Sequence, residues 1–467
     1  MERNSMIRSF LLGSGKSRGT DPSRVGLLPL MLPMLLEHIL YSTVNLLDVL
    51  FISHISDHAV NSVSVPGQYL MVCNTLTFSV SAGAIICINQ AIGMHNLKKV
   101  NLLATIAASA NTLLGLLFGL LFATQAEFLL SMMQLEEDTI RGAVNYLHIT
   151  GGLMVFQCIS IVFNSLSRSM GRIRTPLLIN IVTNTINVVG NWLVVYHPEM
   201  MGIDPVSGVA MTSVLAQFTG MVIAVLVAHH AGIRISLKNL RPFPKEELRL
   251  TLSLGIPGGL NNISYSLCQL VTTAVISGFG DLMVSAKVYV TSLAGYVALV
   301  AMSFCQANSI MVGYRIGAGK FDEAKRLAMF VARIAVLSNL LFSAALFLFR
   351  VPLLGIFTRD AAIIQTAAGV LLIDFLVETG RALNNAFAGS LNAVGDVRFQ
   401  LAVNQLSGWL ISVGCSWLFG VALGWGLYGV WAAFALDELT RGLILRSRWI
   451  SDRWISGAEK RRRALAG

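Results

Sequence analysis

Apolar stretches of about 20 residues recur along this 467-residue chain, and that recurrence limits its fold more than any other feature. One helix needs about 20 mostly apolar residues to cross a bilayer core. Twelve such stretches are centred near residues 40, 75, 112, 153, 186, 219, 263, 300, 338, 376, 410 and 437. Charged residues make up 12% of the chain, where soluble domains carry about 25%, and the mean hydropathy is +0.69. Backbone groups in lipid must be satisfied inside the segment, so the spans are helices. The short alternating strands of a barrel are not visible. The expected fold is an all-α membrane protein with twelve transmembrane helices, spans 2, 4, 8 and 10 being polar enough to need buried neighbours.

The chain also reads as one unit written twice. At a constant offset of 224, Pro33 meets Pro257, Tyr41 meets Tyr265 and Ile92-Gly93 meets Ile316-Gly317. Gly171 then meets Gly395 and Asn180 meets Asn404. The spacing predicts two six-helix repeats, 25–230 and 249–446, joined by a cytosolic linker at 231–248. The flanks are a cytosolic N-terminal tail, 1–24, and a basic cytosolic C-terminal tail, 447–467. An even number of spans per half makes the repeats parallel, related by a pseudo-two-fold axis along the membrane normal. Two lobes that can rock about a central cavity suit alternating access.

Charge orients the chain. Of 34 Lys and Arg, 27 fall in segments that share one side of the membrane and 3 in segments on the other. This bias puts both termini in the cytosol, and topology rather than nucleic acid explains the net charge of +10. The expected location is the inner (plasma) membrane. The tail RSRWISDRWISGAEKRRR pairs Trp with basic residues, as an interfacial anchor or a solvated tail would. GSGKS, in the N-terminal tail, is half a phosphate loop, with Phe10 where the full pattern needs Gly. The six cysteines are scattered singly, without metal-ligand spacing, and read as packing residues.

Polar residues inside the spans are the candidate site. Glu37, Tyr41, Asn45 and Asp48 fall on one helical face, which must meet protein or water because a carboxylate facing lipid is costly. The repeat puts uncharged residues there, Asn261, Tyr265, Gln269 and Thr272. Span 5 carries Asn180, Asn184, Asn187 and Asn191; their carbonyls can ligate a small cation or tie helices together. In span 10, Asp374, Glu378, Arg381 and Asn385 share a face. Glu378 and Arg381 can pair locally, leaving Asp374 to titrate, and in span 12 Asp437 and Arg441 stand four apart. Lys287, near the outer end of span 8, reads as a snorkelling cation.

These segments resemble the multidrug and toxic compound extrusion (MATE) transporters. The resemblance rests on LLDVLFIS in span 1, IGMHNLKKV and IGAGKFDEAKR after spans 2 and 8, SLSRSMGRIRTP and GSLNAVGDVR after spans 4 and 10, and INVVGN in span 5. It covers roughly 25–446. It implies a secondary antiporter, not an enzyme, that exports organic cations or amphipathic drugs in exchange for sodium ions or protons. By position, Asp48 matches the family's span-1 coupling carboxylate, Asn187 and Asn191 the span-5 pair, and Thr212 or Ser213 the span-6 hydroxyl. Some members carry an acid where Asn191 stands. Their span-7 acid falls near Tyr265 and their span-10 acid near Arg381.

The expected cation-coupling set is therefore Asp48, Asn187, Asn191, Glu37, Thr212 and Ser213, with a transient sodium site at Asp48 as the one metal site considered. Tyr41, Asn45, Tyr265, Gln269, Asp374, Glu378 and Arg381 are the substrate-cavity candidates. No cofactor beyond the coupling ion is expected. The partners are an amphipathic small molecule and membrane lipid, and the chain is expected to be a monomer. The alternative is a lipid or lipid-linked glycan flippase, which needs a cavity rich in positive charge.

Overall fold

The computed structural model describes residues 10–11, 25–133, 136–197, 199 and 202–466, without the side chains of 45–50, 53, 57 and 138. In chain order the helices are α1 (Leu27–Ser53), α2 (Asp57–Gly93), α3 (Leu97–Ser131), α4 (Glu137–Tyr146) and α5 (Val155–Ser169). They continue as α6 (Arg174–Tyr196), α7 (Pro205–His230), α8 (Lys245–Ser277), α9 (Asp281–Gly317), α10 (Phe321–Leu348) and α11 (Arg350–Leu354). The last are α12 (Ala361–Ala393), α13 (Val397–Ser407), α14 (Gly414–Trp417), α15 (Gly426–Ile450) and α16 (Ile455–Ala466). Among the described residues nine helices are long and apolar enough to cross a membrane. A tenth crossing is the pair Thr139–Gly151 and Val155–Ser169, bent by 47°, where the π-helical turn Leu147–Gly151 interrupts the α-helical ladder. Helices α8 and α15, 33 and 25 residues long, complete twelve. Polar residues set them apart: α8 carries Asn261, Asn262 and Gln269 in an otherwise uncharged stretch after Arg249, and α15 carries Asp437, Glu438 and Arg441.

The duplication is visible in the hydrogen bonds. Helix α5 ends with the Arg172 N–H donating to the Ser167 carbonyl at 2.9 Å, and α12 with Asp396 donating to Leu391 at 2.8 Å. Both ends turn on a left-handed glycine, Gly171 (φ 71°) and Gly395 (φ 77°), a conformation that costs a residue with a side chain 1–2 kcal/mol, roughly. A second pair packs reciprocally. A Cβ on Gly93 would strike the backbone of Tyr314, and one on Gly317 would strike that of Gln90. Gln90 and Tyr314 are themselves 224 apart, so this contact is its own image under the repeat. Only residues without a side chain allow so close a crossing.

The chain divides into two compact units. One holds Leu36–Ile88 and Asn96–Ile256; the other holds Asn89–His95, the described residues of Met1–Leu35 and those of Pro257–Gly467. The start of α1 thus goes with the second half of the chain and the start of α8 with the first. Both divisions fall within two residues of a proline inside the helix, Pro33 or Pro257. In the first-half unit α6 packs on α7 and α5 on both α3 and α7. Gly190 against Thr212, and Gly208 against Val194, leave no room for a Cβ, which brings α6 and α7 together. In the second-half unit α12 is central, packed on α9, α10 and α15. Its core gathers Ile276, Val290, Leu371, Leu427 and Trp431.

The C-terminal segment differs from an interfacial anchor or a solvated tail. Trp449 and Trp454 stack at 4.3 Å, both fully buried, and the Trp454 indole N–H donates to the Trp449 carbonyl at 2.9 Å. Helix α16 then docks through two adjacent arginines. The Arg461 Nε donates to the Val394 carbonyl at 3.0 Å and the Arg462 Nε to the Gly317 carbonyl at 3.0 Å. These carbonyls end α12 and α9, where helical partners have run out. The reason for the difference is local: Arg461 and Arg462 cap helix ends, while Arg453, Lys460 and Arg463 face water.

Candidate functional site

In the first-half unit a hydrogen-bond chain joins α6 to α7. Asn187 Nδ2 donates to Ser213 Oγ at 3.1 Å, Asn191 Nδ2 to Asn187 Oδ1 at 3.2 Å, and Thr212 Oγ1 to Asn191 Oδ1 at 2.5 Å. The Thr212 hydroxyl also reaches the Val209 carbonyl at 2.9 Å, and its one proton serves one acceptor at a time. Asn187 and Asn191 stand one turn apart on α6, so the face predicted from spacing holds both. The close approach at Gly190 delivers Thr212 to them. Four of the six expected coupling residues are thereby brought together. Asp48, and with it Asn45, has its side chain outside the described residues, although the backbone at both is α1 helix.

Glu37 does not join this chain. Its carboxylate accepts from Arg168 of α5 and, at 2.7 Å, from Asn180 Nδ2 of α6. Both residues of the ion pair are largely buried, 13% exposed for Glu37 and 20% for Arg168. The geometry is that of a clamp across three helices. Arg168 lies 131 residues away, and no spacing on one helix could signal it. Tyr41 stands on α1 with its ring largely exposed (64%).

The second-half unit holds a cavity of about 660 Å³ lined by α8, α9, α12, α13 and α15. Tyr265, Gln269, Asp374 and Arg381 all face it. Glu378 is fully buried behind Arg381, not in the lining. Gln269 Nε2 donates to the Tyr265 hydroxyl at 2.9 Å, and the Trp431 indole N–H to Asp374 Oδ1 at 3.0 Å. The ion pairs form a ladder. Arg381 binds Glu378 and lies 3.7 Å from Glu438; Arg441 binds Asp437 and lies 3.7 Å from the same Glu438 oxygen. Asn384 donates to Glu438 at 2.8 Å, Ser407 to Asp437 and Asn339 to Glu378 at 3.3 Å. Buried charges held this way are compensated, and removing one partner typically costs about 3–5 kcal/mol.

Sequence reasoning missed two members of this site. Glu438, the residue linking both arginines, stands three before Arg441, a spacing that signals a helical pair. Lys287 is the other. It faces the cavity rather than the membrane edge, with its ammonium on the Thr273 hydroxyl. Thr273 of α8 draws it inward, a partner that α9 alone cannot reveal. Among the described residues no cluster of three or more His, Cys, Asp or Glu could hold a metal ion.

Twelve helices in two like halves, with buried polar clusters inside the spans, define a multi-pass membrane transporter. The MatE family model matches residues 33–193 and 257–418, one stretch in each repeat, and the chain belongs to that family. Its members are transporters and not enzymes. The uncharacterized transporter YisQ of Bacillus subtilis (strain 168) is 30% identical, over 91% of this chain and 93% of the relative. A probable multidrug resistance protein NorM of Thermotoga maritima is 25% identical, over 92% and 93%. Among solved structures, MATE in the bent conformation superposes with a TM-score of 0.85 at 17% identity, covering 95% of this chain and 97% of the other. A MOP superfamily transporter from Pyrococcus furiosus gives 0.83 at 17% identity, covering 97% and 100%. At such identities the structures speak for the fold alone.

Proposed function

We propose that this chain is a secondary antiporter that exports amphipathic organic compounds, organic cations among them, in exchange for sodium ions or protons. The observation that carries the reading is the second-half cavity. Its volume of about 660 Å³ lies in the range of small-molecule sites, roughly 300–1,000 Å³, and its wall mixes amides, aromatic rings and compensated charges. The multidrug name of the Thermotoga maritima relative agrees with it. Coupling is assigned to the first half. Asp48 takes up the cation, the Asn187, Asn191, Thr212 and Ser213 chain belongs to the same coupling set, and filling the site favours one of two arrangements of the transporter. Moving an equilibrium from 1:99 to 99:1 takes about 5.5 kcal/mol of differential affinity, within the range that burial of one carboxylate supplies. The Lys and Arg bias supports a cytosolic position for both termini, with the plasma membrane as the location.

The flippase alternative needs an excess of positive charge in the cavity. Arg381 and Arg441 are both neutralised by carboxylates, so the ladder does not favour it. The test is ethidium efflux from proteoliposomes under separately imposed sodium and proton gradients. Efflux driven by one gradient, and lost in Asp48→Asn, is the expected result. Efflux indifferent to both gradients would sink the antiport, and full gradient-driven efflux in Asp48→Asn would remove that residue from the coupling role.

A further inference from the structure

A groove of about 620 Å³ lies where α10 ends, α11 follows and α12 begins. The α12 residues along it are Ala361, Ile364, Gln365, Ala368, Gly369 and Leu372. Steps of three and one put them on a single helical face, which runs about 16 Å into a membrane-spanning helix at about 1.5 Å per residue. The chemistry of the groove changes with depth. Arg350, Arg359 and Gln365 border its shallow end, and Leu372 marks its deep end. Leu372 is 58% exposed and Val351 52%, so apolar surface lies open beside the charges.

The two arginines are unusual for their side of the membrane. They are two of the three cations in the segments that the charge bias assigns to the outer side. Arg350 is held in place: its Nη1 donates to the Phe347 carbonyl at 2.8 Å, and its guanidinium lies 3.9 Å from the centre of the Phe347 ring. A guanidinium has five N–H donors, so four remain for a ligand. Arg359 is exposed. Among the described residues no carboxylate lies within ion-pair distance of either. The neighbouring acid, Asp360, caps its own helix by accepting the Ala362 N–H at 2.8 Å.

We infer that this groove seats an anionic phospholipid, its phosphate between Arg350 and Arg359 and an acyl chain along Val351, Ile364 and Leu372. Guanidinium groups bind phosphate through paired, charge-assisted hydrogen bonds, and basic pockets beside transmembrane helices hold lipid head groups in this way. A zwitterionic head group would bring its own cation toward the same two arginines, which favours a net negative one. A free anion would leave the apolar face bare, and a soluble protein cannot follow that face into the bilayer. The lipid is a bound partner rather than cargo, so the antiport reading neither requires it nor fails with it.

Photoreactive phosphatidylglycerol, with a diazirine in its acyl chain, tests the site on the purified full-length protein in detergent. Labelled peptides are mapped by mass spectrometry. Labelling is expected within 347–372, and unlabelled phosphatidylglycerol should displace it at about 10-fold lower concentration than phosphatidylcholine of the same chains. Arg359→Gln and Arg350→Gln should each raise the half-maximal labelling concentration about 10-fold, as the loss of one charge-assisted hydrogen bond allows. Arg359 makes no described hydrogen bond or ion pair, so its replacement reports on the site without disturbing the fold. Arg453→Gln, at the far end of the unit, should leave this labelling unchanged. Absence of label from 347–372, equal displacement by phosphatidylcholine, or labelling unmoved by Arg359→Gln overturns the inference. Displacement by inorganic phosphate as effective as by phosphatidylglycerol also overturns it, since the groove would then bind a free anion.

Discussion

Glu37 is where a coupling role and a structural role separate most cleanly. Its carboxylate holds Arg168 and Asn180, so Glu37→Gln keeps the shape but leaves a largely buried guanidinium without its charge partner. At about 4 Å and an effective dielectric of 20 an ion pair is worth about 4 kcal/mol. Residual exposure of 13% and 20% admits solvent screening, which reduces the expected loss to about 1–3 kcal/mol. For a unit of about 200 residues each kcal/mol moves the melting temperature by roughly 2–4 °C, giving a drop of about 2–12 °C. Arg168→Gln should cost a similar amount, and Glu37→Gln with Arg168→Gln less than the two added together, because the double variant strands no charge. Thermal unfolding in detergent supplies the numbers, and gradient-driven efflux of the same preparations supplies the function. A Glu37→Gln protein with unchanged melting temperature and abolished ion coupling would refute the clamp.

Two further outcomes follow from the packing. Gly93→Ala and Gly317→Ala should each destabilise by about 1–3 kcal/mol or more, because the added methyl meets backbone rather than a yielding side chain; equal melting temperatures for both variants and wild type would contradict that crossing. The second outcome concerns Lys99 and Glu247, in the polar first turns of α3 and α8 and 3.0 Å apart. Burial opposes ionisation of Glu247, but the Lys99 hydrogen bond and charge outweigh it and hold the carboxyl below its usual range. A depressed acid contributes stability that is present above its unfolded pKa and lost as pH falls through the folded one. Acid should therefore weaken the protein progressively from about pH 4.3 downward, and Glu247→Gln should blunt that loss in melting curves taken against pH.

Much of the architecture is carried by patterns that act along a single helix or recur at a fixed offset. Apolar run length sets the spans, and the 224-residue register foretells that Gly171 and Gly395 end their helices with the same hydrogen bonds. Spacings of three and four place Glu378 beside Arg381 and Asp437 beside Arg441, because helical periodicity alone decides them. The same periodicity puts Asn187 and Asn191 on one face of α6. These features need no knowledge of a neighbour.

What the tertiary structure decided is which helix each face meets. Glu37 and Asp48 share a stripe in sequence, yet Glu37 is taken by an arginine 131 residues away. Lys287 turns into a cavity instead of toward the membrane edge because Thr273 belongs to another helix. The tail's tryptophans bury themselves, and Arg461 and Arg462 cap α12 and α9. Glu438 becomes the joint between two ion pairs only when α12 and α15 pack. Periodicity fixes the angle of a side chain about its own axis, whereas the rotation and depth of one helix against the next come from side-chain packing across spans, and that is a property of the folded chain.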